Sequence, residues 1–384
     1  MTAGPILTSA DLNRAMLARQ HLLAPTSLGI VAAIEAIGGL QAQEPASPYV
    51  ALWSRLANFE AAELDRAFVD QSVVKATLMR VTLHAVSATD YGQLLPAVRP
   101  MHHALRRRGA AAVDDAIVAR LGRSALAHAA EPRSNPALRA HVEAEAGRLG
   151  VDLDEVWWWV RLRHDFIHVP TTRPWSFSRR PILTAASAWL DAAVFADEPE
   201  AIEHLVRRYL GAFGPATLAD AAGWSGLSAT ALRPGLAAIE GAGEVWHGRD
   251  EAGRLLVDLA QAPRPGGDVE APPRLLPMWD SILLAHRDRT RLMDDATRSF
   301  VIGRNGDTLP AFLVDGRVAG LWWAVGDDGG GRCRIELEPF GRLAPGAMPE
   351  LAREAERLAA FLEPLDPNVY RRYRRSRARR RPGA

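Results

Sequence analysis

The residues best suited to chemistry in this chain are two glutamines in the run Leu40-Gln41-Ala42-Gln43-Glu44-Pro45. They follow Gly38-Gly39, a pair that ends helices, so the backbone at 41–43 is expected to be extended or turning. Side chains two residues apart on extended backbone point to one side, which would bring both carboxamides together. A carboxamide offers an acceptor oxygen and two N–H donors. It can position a water or a polar group, whereas acid–base work falls to other side chains. Composition alone makes the pair weak evidence, because glutamines at helix ends are usually solvated or capping. Arg80, Thr82 and His84 form a second group. They alternate along a β-like run and are expected to face one way, and a solvated strand face is the plain alternative.

Other chemistries are poorly served. His164 and His168 have i,i+4 spacing, but no third ligand accompanies them and Val169-Pro170 argues for extended chain. His102 and His103 are adjacent, and adjacent side chains on a helix point apart. No metal site is expected. There is no Gly-rich phosphate loop ending in Lys-Ser/Thr, no dinucleotide fingerprint and no His-Glu-x-x-His, so no cofactor is expected either. The single cysteine, Cys333, excludes an intramolecular disulfide and a four-cysteine iron–sulfur cluster, which fits a cytoplasmic setting. Lys75 is the only lysine among 46 basic residues. Schiff-base chemistry would therefore fall to Lys75 or the chain's N-terminal amine. No run approaches about 18 apolar residues, and MTAGPILTSADL lacks the pattern of a secretory signal, so no membrane association is expected.

The net charge of +1 conceals an asymmetry: the last 15 residues hold eight arginines and no acid, and without those arginines the chain would carry −7. Such a block is usually a disordered, solvated tail. The equally weighted alternative is salt-sensitive contact with nucleic acid.

The elements that must position these residues follow from periodicity. At 384 residues, two or three domains are expected. Thr8-Ser9-Ala10-Asp11 reads as a capping-box start, and helices follow over 9–23, 28–37, 49–56 and 60–69. Two runs rich in Val, Thr and Leu, 72–77 and 81–87, are expected to pair as a hairpin. Helices closed by a hairpin are the plan of a winged helix-turn-helix, assigned here to residues 1–108. Residues 109–195 read as a helical connector. Within it Val156-Trp157-Trp158-Trp159-Val160 reads as buried core, and 163–190, broken by Pro170, Pro174 and Pro181, as irregular. A second winged-helix unit is expected over 196–262. A linker follows over 262–274. A third winged-helix or β-containing unit spans 275–365, with Asp315-Gly316 as a tight turn, and a basic tail covers 366–384. The fold class is thus α+β and mostly helical, with tandem winged helix-turn-helix units and a C-terminal β-containing domain.

The segments Gly39-Leu40-Gln41-Ala42-Gln43, Pro48-Tyr49-Val50-Ala51-Leu52-Trp53-Ser54-Arg55-Leu56 and Ala76-Thr77-Leu78-Met79-Arg80-Val81-Thr82-Leu83-His84 resemble the winged-helix alkylpurine DNA glycosylases. The later runs LVRRYLGAFGPATLADAAGWSG and LLPMWDSILLAHRDRTRL are also similar to that family, so the resemblance covers about residues 8–362. It implies tandem winged helices around a concave DNA face, and a catalytic Gln-x-Gln motif at Gln41 and Gln43. It also implies DNA or lesion contacts from Arg80, Thr82, His84, Tyr49 and Arg55, with Arg80 on a phosphate. Asp280, Asp288 and Arg289 are further candidates, for which a buried Asp–Arg tie between domains is an equal explanation. Val81 departs from the family pattern, which has glycine there, and the basic tail has no counterpart in it.

The implied reaction suits a neutral motif. Alkylation at N7 makes the purine a cationic leaving group, so the sugar passes through an oxocarbenium-like state. Such a step needs a positioned water and dipoles tolerant of positive charge more than a strong acid. Gln43 is expected to orient the water, and Gln41 to position it or the deoxyribose. The expected partner is double-stranded DNA carrying alkylated purines, including bulky adducts or interstrand crosslinks. The enzyme is expected to act as a monofunctional monomer in the cytoplasm, at the nucleoid. The alternatives are a winged-helix transcription regulator and a damage sensor without catalysis.

Overall fold

A computed structural model describes residues 4–105, 114–171, 174–190, 195–304, 306–327 and 332–378. It begins with β1 (Ile6–Leu7) and α1 (Ser9–Arg19). The α1 start is the expected capping box, Thr8 and Asp11 each accepting the other's backbone N–H. α2 (Ile30–Ala36) stops at Gly38 and Gly39, whose φ of 76° and 84° are reached without strain only by glycine. β2 (Leu40–Gln41), α3 (Ser47–Trp53), α4 (Ala61–Val69), β3 (Val73–Thr77), β4 (Leu83–Ser87) and α5 (Ala88–Ala104) follow. Next come α6 (Asp115–His128), β5 (Arg133–Ser134), α7 (Asn135–Arg148), α8 (Leu153–Arg163), β6 (Phe166–His168), β7 (Ile182–Ala185) and α9 (Ala186–Trp189).

The second half opens with α10 (Glu198–Phe213), α11 (Leu218–Ser225), α12 (Ala229–Gly241), β8 (Val245–Asp250) and β9 (Leu255–Leu259). This is the order of three helices and a hairpin expected over 196–262. It ends with β10 (Arg274–Leu275), α13 (Asp295–Val301), β11 (Ala311–Val314), β12 (Arg317–Gly326), β13 (Cys333–Pro339), α14 (Ala347–Leu362) and α15 (Arg371–Ala378). The turn between β11 and β12 is Asp315-Gly316, both at positive φ (47° and 72°), as a two-residue hairpin demands. The protein is α+β and mostly helical.

Three sheets organise the described residues, in the orders β1-β8-β9, β10-β11-β12-β13 and β2-β4-β3-β6-β7-β5. The last corrects two expectations. β3 and β4 pair antiparallel as foreseen, but they form the middle of a six-stranded sheet rather than a free wing. Residues 163–190, read as irregular, contribute β6 and β7 to it. Their prolines fall outside the ladders, Pro170 after β6 and Pro181 before β7, where no N–H is needed.

One apolar core runs from Met16 to Tyr370 and takes in side chains of the first helices, the second helical unit and the C-terminal sheet. A smaller core forms where α6, α7 and α8 pack, around Val118, Leu138, Val156 and Trp159. Buried ion pairs tie distant segments: Arg19 to Asp258 at 2.6 Å and Arg55 to Asp280 at 2.8 Å. Losing one partner of such a pair costs about 3–5 kcal/mol, because the other charge stays buried.

Candidate active site

The Gly38-Gly39 turn sets the site. A Cβ on Gly38 would lie 3.0 Å from Ala212 Cβ, and one on Gly39 3.0 Å from Val86 Cγ1, so the chain passes between α10 and β4 only with glycine. β2 then pairs with β4, Leu40 opposite Ala85 and Gln41 opposite His84. The ladder continues through Ala42, whose N–H donates to Leu83 O at 2.7 Å, and breaks at Gln43. The two glutamine oxygens are fixed by the β3–β4 turn and by the first residue of β4. Gln41 Oε1 accepts from Arg80 Nη2 at 3.0 Å, and Gln43 Oε1 accepts from the Leu83 N–H at 2.7 Å. Gln41 is buried, whereas Gln43 stays half-buried.

That turn, Met79–Val81, is a 3-10 turn with Arg80 and Val81 in the left-handed region (φ 52° and 58°). It breaks the alternation expected for Arg80, Thr82 and His84, so the three do not share one strand face. Left-handed backbone is disfavoured by about 1–2 kcal/mol for a residue with a Cβ, more so when β-branched, and Val81 carries that strain. Arg80 is held on several sides. Its guanidinium also donates to the Trp224 carbonyl, and a Cβ at Gly226 would meet Arg80 Cα and N at 3.2 Å. Burial and the neighbouring Arg289 push the guanidinium down to about 10, still charged at neutral pH. In the structure Arg80 thus binds Gln41 and a carbonyl, and a phosphate would have to compete for it.

His84 is fully buried with Nδ1 3.0 Å from Thr82 O, which makes Nδ1 the donor. Burial, then Arg80, push it down to about 3, so the ring is neutral. Thr82 turns its hydroxyl back to Met79 O at 3.0 Å. Tyr49 and Arg55, expected to touch DNA or the lesion, are both buried. The Tyr49 hydroxyl lies 2.6 Å from Asp65 Oδ1 and 2.8 Å from Ser176 Oγ. Arg55 makes a two-pronged bond to Asp280 at 2.8 and 2.9 Å and reaches Gln20 Oε1 at 3.2 Å. Gln20 in turn donates to Ile37 O and Ala212 O, so this network fixes the helix end that presents the motif. Asp280 is thus the structural tie considered from the sequence, and Asp288 pairs with Arg254 at 2.5 Å.

Several neighbours of the motif had no sequence signal beyond proximity or composition. Glu44, buried, accepts from Arg372 and from the Tyr373 hydroxyl at 3.0 Å, with Arg179 Nη2 at 3.4 Å. Trp279, at φ 55°, packs edge-on against Tyr373 with centroids 5.6 Å apart. A cavity of about 10 Å³, near the size of one water, is lined by Gln41, Ser47, Trp279 and Asp280. Lys75 is buried with Nζ 4.6 Å from the centre of the Phe177 ring. Burial pushes it down to about 8, while Glu44 acts in the opposite direction. The described residues contain no group of three or more metal-ligating side chains, and none of their helices is long and apolar enough to cross a membrane.

The arrangement is a pair of neutral amides at the seam of two sheet strands, held by a cationic turn under a helix-turn-helix-like unit. Comparison with known proteins bears on the fold and the family. Over 94% of its length the chain superposes on 98% of the Streptomyces sahachiroi DNA glycosylase AlkZ, with a TM-score of 0.75 at 20% sequence identity. Among curated protein sequences none matches. Residues 34–361, containing the whole motif region, match the family described as DNA glycosylase AlkZ-like. The chain belongs to the AlkZ-like DNA glycosylase family and is a DNA glycosylase.

Proposed function

We propose that the protein hydrolyses the N-glycosidic bond of N7-alkylated purines in duplex DNA, with Gln41 and Gln43 as its catalytic pair. The observation that carries this reading is the unequal placement of the two amides. Gln41 is buried and spends its oxygen on Arg80, whereas Gln43 stays half-buried with a second lone pair and its N–H groups free of that bond. Gln43 orients the attacking water. Gln41 holds the turn and the deoxyribose side of the site. The cationic Arg80 lies one hydrogen bond behind Gln41, so its charge polarises the amide without facing the positive sugar directly.

The reaction is monofunctional. The only lysine, Lys75, is buried with its amine against the Phe177 ring, a setting that disfavours Schiff-base attack and leaves the N-terminal amine as the other candidate that a borohydride trap would expose. Bulky adducts and interstrand crosslinks fall within the proposed range, and the enzyme acts as a monomer on the damaged duplex. The test is incubation with duplex DNA carrying 7-methylguanine, followed by alkaline cleavage at abasic sites and a parallel borohydride trap. Alkali-dependent strand breaks without a trapped adduct are expected. A trapped protein–DNA adduct would overturn the monofunctional mechanism. Absence of breaks both here and on a crosslinked duplex would overturn the substrate assignment.

A further inference from the structure

The first residues of the basic tail, which the sequence left open between a solvated block and a nucleic-acid contact, are docked on the protein. Tyr370 is buried, its hydroxyl 3.0 Å from Ser47 Oγ and its ring 5.7 Å from that of Trp322. One turn later Arg372 and Tyr373 reach Glu44, the residue after Gln43, and Arg374 pairs with Glu336. These contacts seat the first turn of α15 on the rim of the catalytic motif. Between that turn and the 175–179 segment lies a cleft of about 620 Å³. Its charged walls are Arg179, Arg371 and Arg372 against Glu44 and Asp366, and its floor includes Trp175 and Phe177.

Arg179 and Arg372 keep 61% and 48% of their side chains exposed, and Arg371 is exposed. The Glu44 carboxylate, by contrast, is buried beneath them. Guanidinium groups converging above a sequestered carboxylate leave a cleft of positive outer surface, shaped for a tetrahedral dianion or monoanion gripped by forked N–H donors. For a DNA glycosylase, the anion that must run past the catalytic motif is the sugar–phosphate backbone.

We propose that this cleft grips a backbone phosphate of the substrate duplex beside the lesion. In this proposal the first turn of α15, anchored by Tyr370 and Tyr373, holds Arg371 and Arg372 over the motif for that contact. The inference rests on the family's DNA substrate but not on the lesion or on the roles of the two glutamines. Its test is therefore binding to undamaged duplex, which is indifferent to excision.

Fluorescence anisotropy over a salt series would compare the full chain with the triple variant R179Q/R371Q/R372Q and with a chain ending at Arg374. Arg353→Gln, an exposed arginine on α14, serves as the control for loss of a single surface charge away from the cleft. The triple variant is expected to lose roughly tenfold in affinity and to flatten the log K against log salt slope by about one, the share of one phosphate. The shortened chain, which keeps both tyrosine anchors, is expected to flatten it as well, and the control to leave it nearly unchanged. Circular dichroism melts matching the parent would establish that the variants fold. Unchanged slope and affinity in the folded triple variant would overturn the proposal. So would tighter binding by the shortened chain, which would make α15 an inhibitor occupying the DNA path.

Discussion

Two hairpins in this molecule look alike in sequence and behave differently. β3–β4 and β8–β9 each follow helices and each pair antiparallel. In the first, four successive residues, Val73 to Ala76, are buried, because β4 and β6 flank β3 and helices cover the sheet. In the second, burial alternates along β9, and Leu255 is 64% exposed. Continuous burial is the mark of a central strand, and alternation that of a strand with one wet face. The turns differ in the same sense. The second uses Gly253 (φ 77°) in open space, whereas the first forces Arg80 and Val81 into left-handed backbone and locks them against Gln41, Trp224 and Gly226. A hairpin that only closes a unit can turn on glycine. One that fixes the proposed catalytic pair carries strain because its neighbours over-determine it.

The sharpest way to break the contrast is to remove the lock. Arg80→Met should lower single-turnover excision by about 10²-fold, in line with loss of one preorganised donor at a reacting centre. Arg249→Met in the second hairpin, where the guanidinium donates to Gly253 O, should leave the rate within twofold. Equal losses at both positions would show that the first turn has no special role.

Next in size is a pair of glycine substitutions read by chemical denaturation. Gly226→Ala places a Cβ 3.2 Å from the Arg80 backbone at φ 85°, and should cost about 2 kcal/mol or more and slow excision. Gly253→Ala, with nothing within 4 Å, should cost about 1 kcal/mol and leave excision alone. A smaller loss at 226 than at 253 would contradict the packing described.

The pH dependence follows from His84, held at about 3 in the folded chain against an ordinary 6.5. Its folded value is depressed, so its contribution is intact above about pH 6.5 and is lost as pH falls towards 3, because the unfolded chain takes up the proton first. The expected slope is about 1.4 kcal/mol per pH unit below 6.5 from this group. Unfolding midpoints between pH 7 and 5 should therefore fall less steeply in His84→Asn than in the parent. Parallel curves would exclude a buried neutral ring.

The smallest effect is at Val81. Replacing it with the glycine of the family pattern should relieve the left-handed strain, offset in part by added unfolded-state entropy, for a net gain of up to about 1 kcal/mol. A loss of stability would mean that Val81 packing outweighs its backbone.

The sequence conveyed the motif well because its signals are local. Gly38-Gly39 announced the helix end, and i,i+2 spacing on extended chain placed both amides near one turn. The capping box at Thr8, the Asp315-Gly316 turn and the C-terminal strands were legible for the same reason. The sheet around β3 was not, because β6 and β7 lie about 90 residues downstream among prolines, and pairing across that distance leaves no local pattern. Arg55 and Tyr49 were expected to touch DNA or the lesion on the strength of the family resemblance alone. Their partners, Asp280 and Ser176, are 225 and 127 residues away. The tail's composition left two readings open, a solvated block or a nucleic-acid contact, and did not show that Tyr370 and Tyr373 dock its first turn.

The central claim, that a neutral Gln-x-Gln pair performs the hydrolysis with Gln43 on the water, is tested most directly by single-turnover excision of 7-methylguanine from a duplex by Gln43→Ala and Gln41→Ala, with duplex affinity measured alongside. Gln43→Ala should lose at least about 10²-fold in rate at unchanged affinity, with Gln41→Ala losing less. Full excision by the Gln43→Ala protein would contradict it.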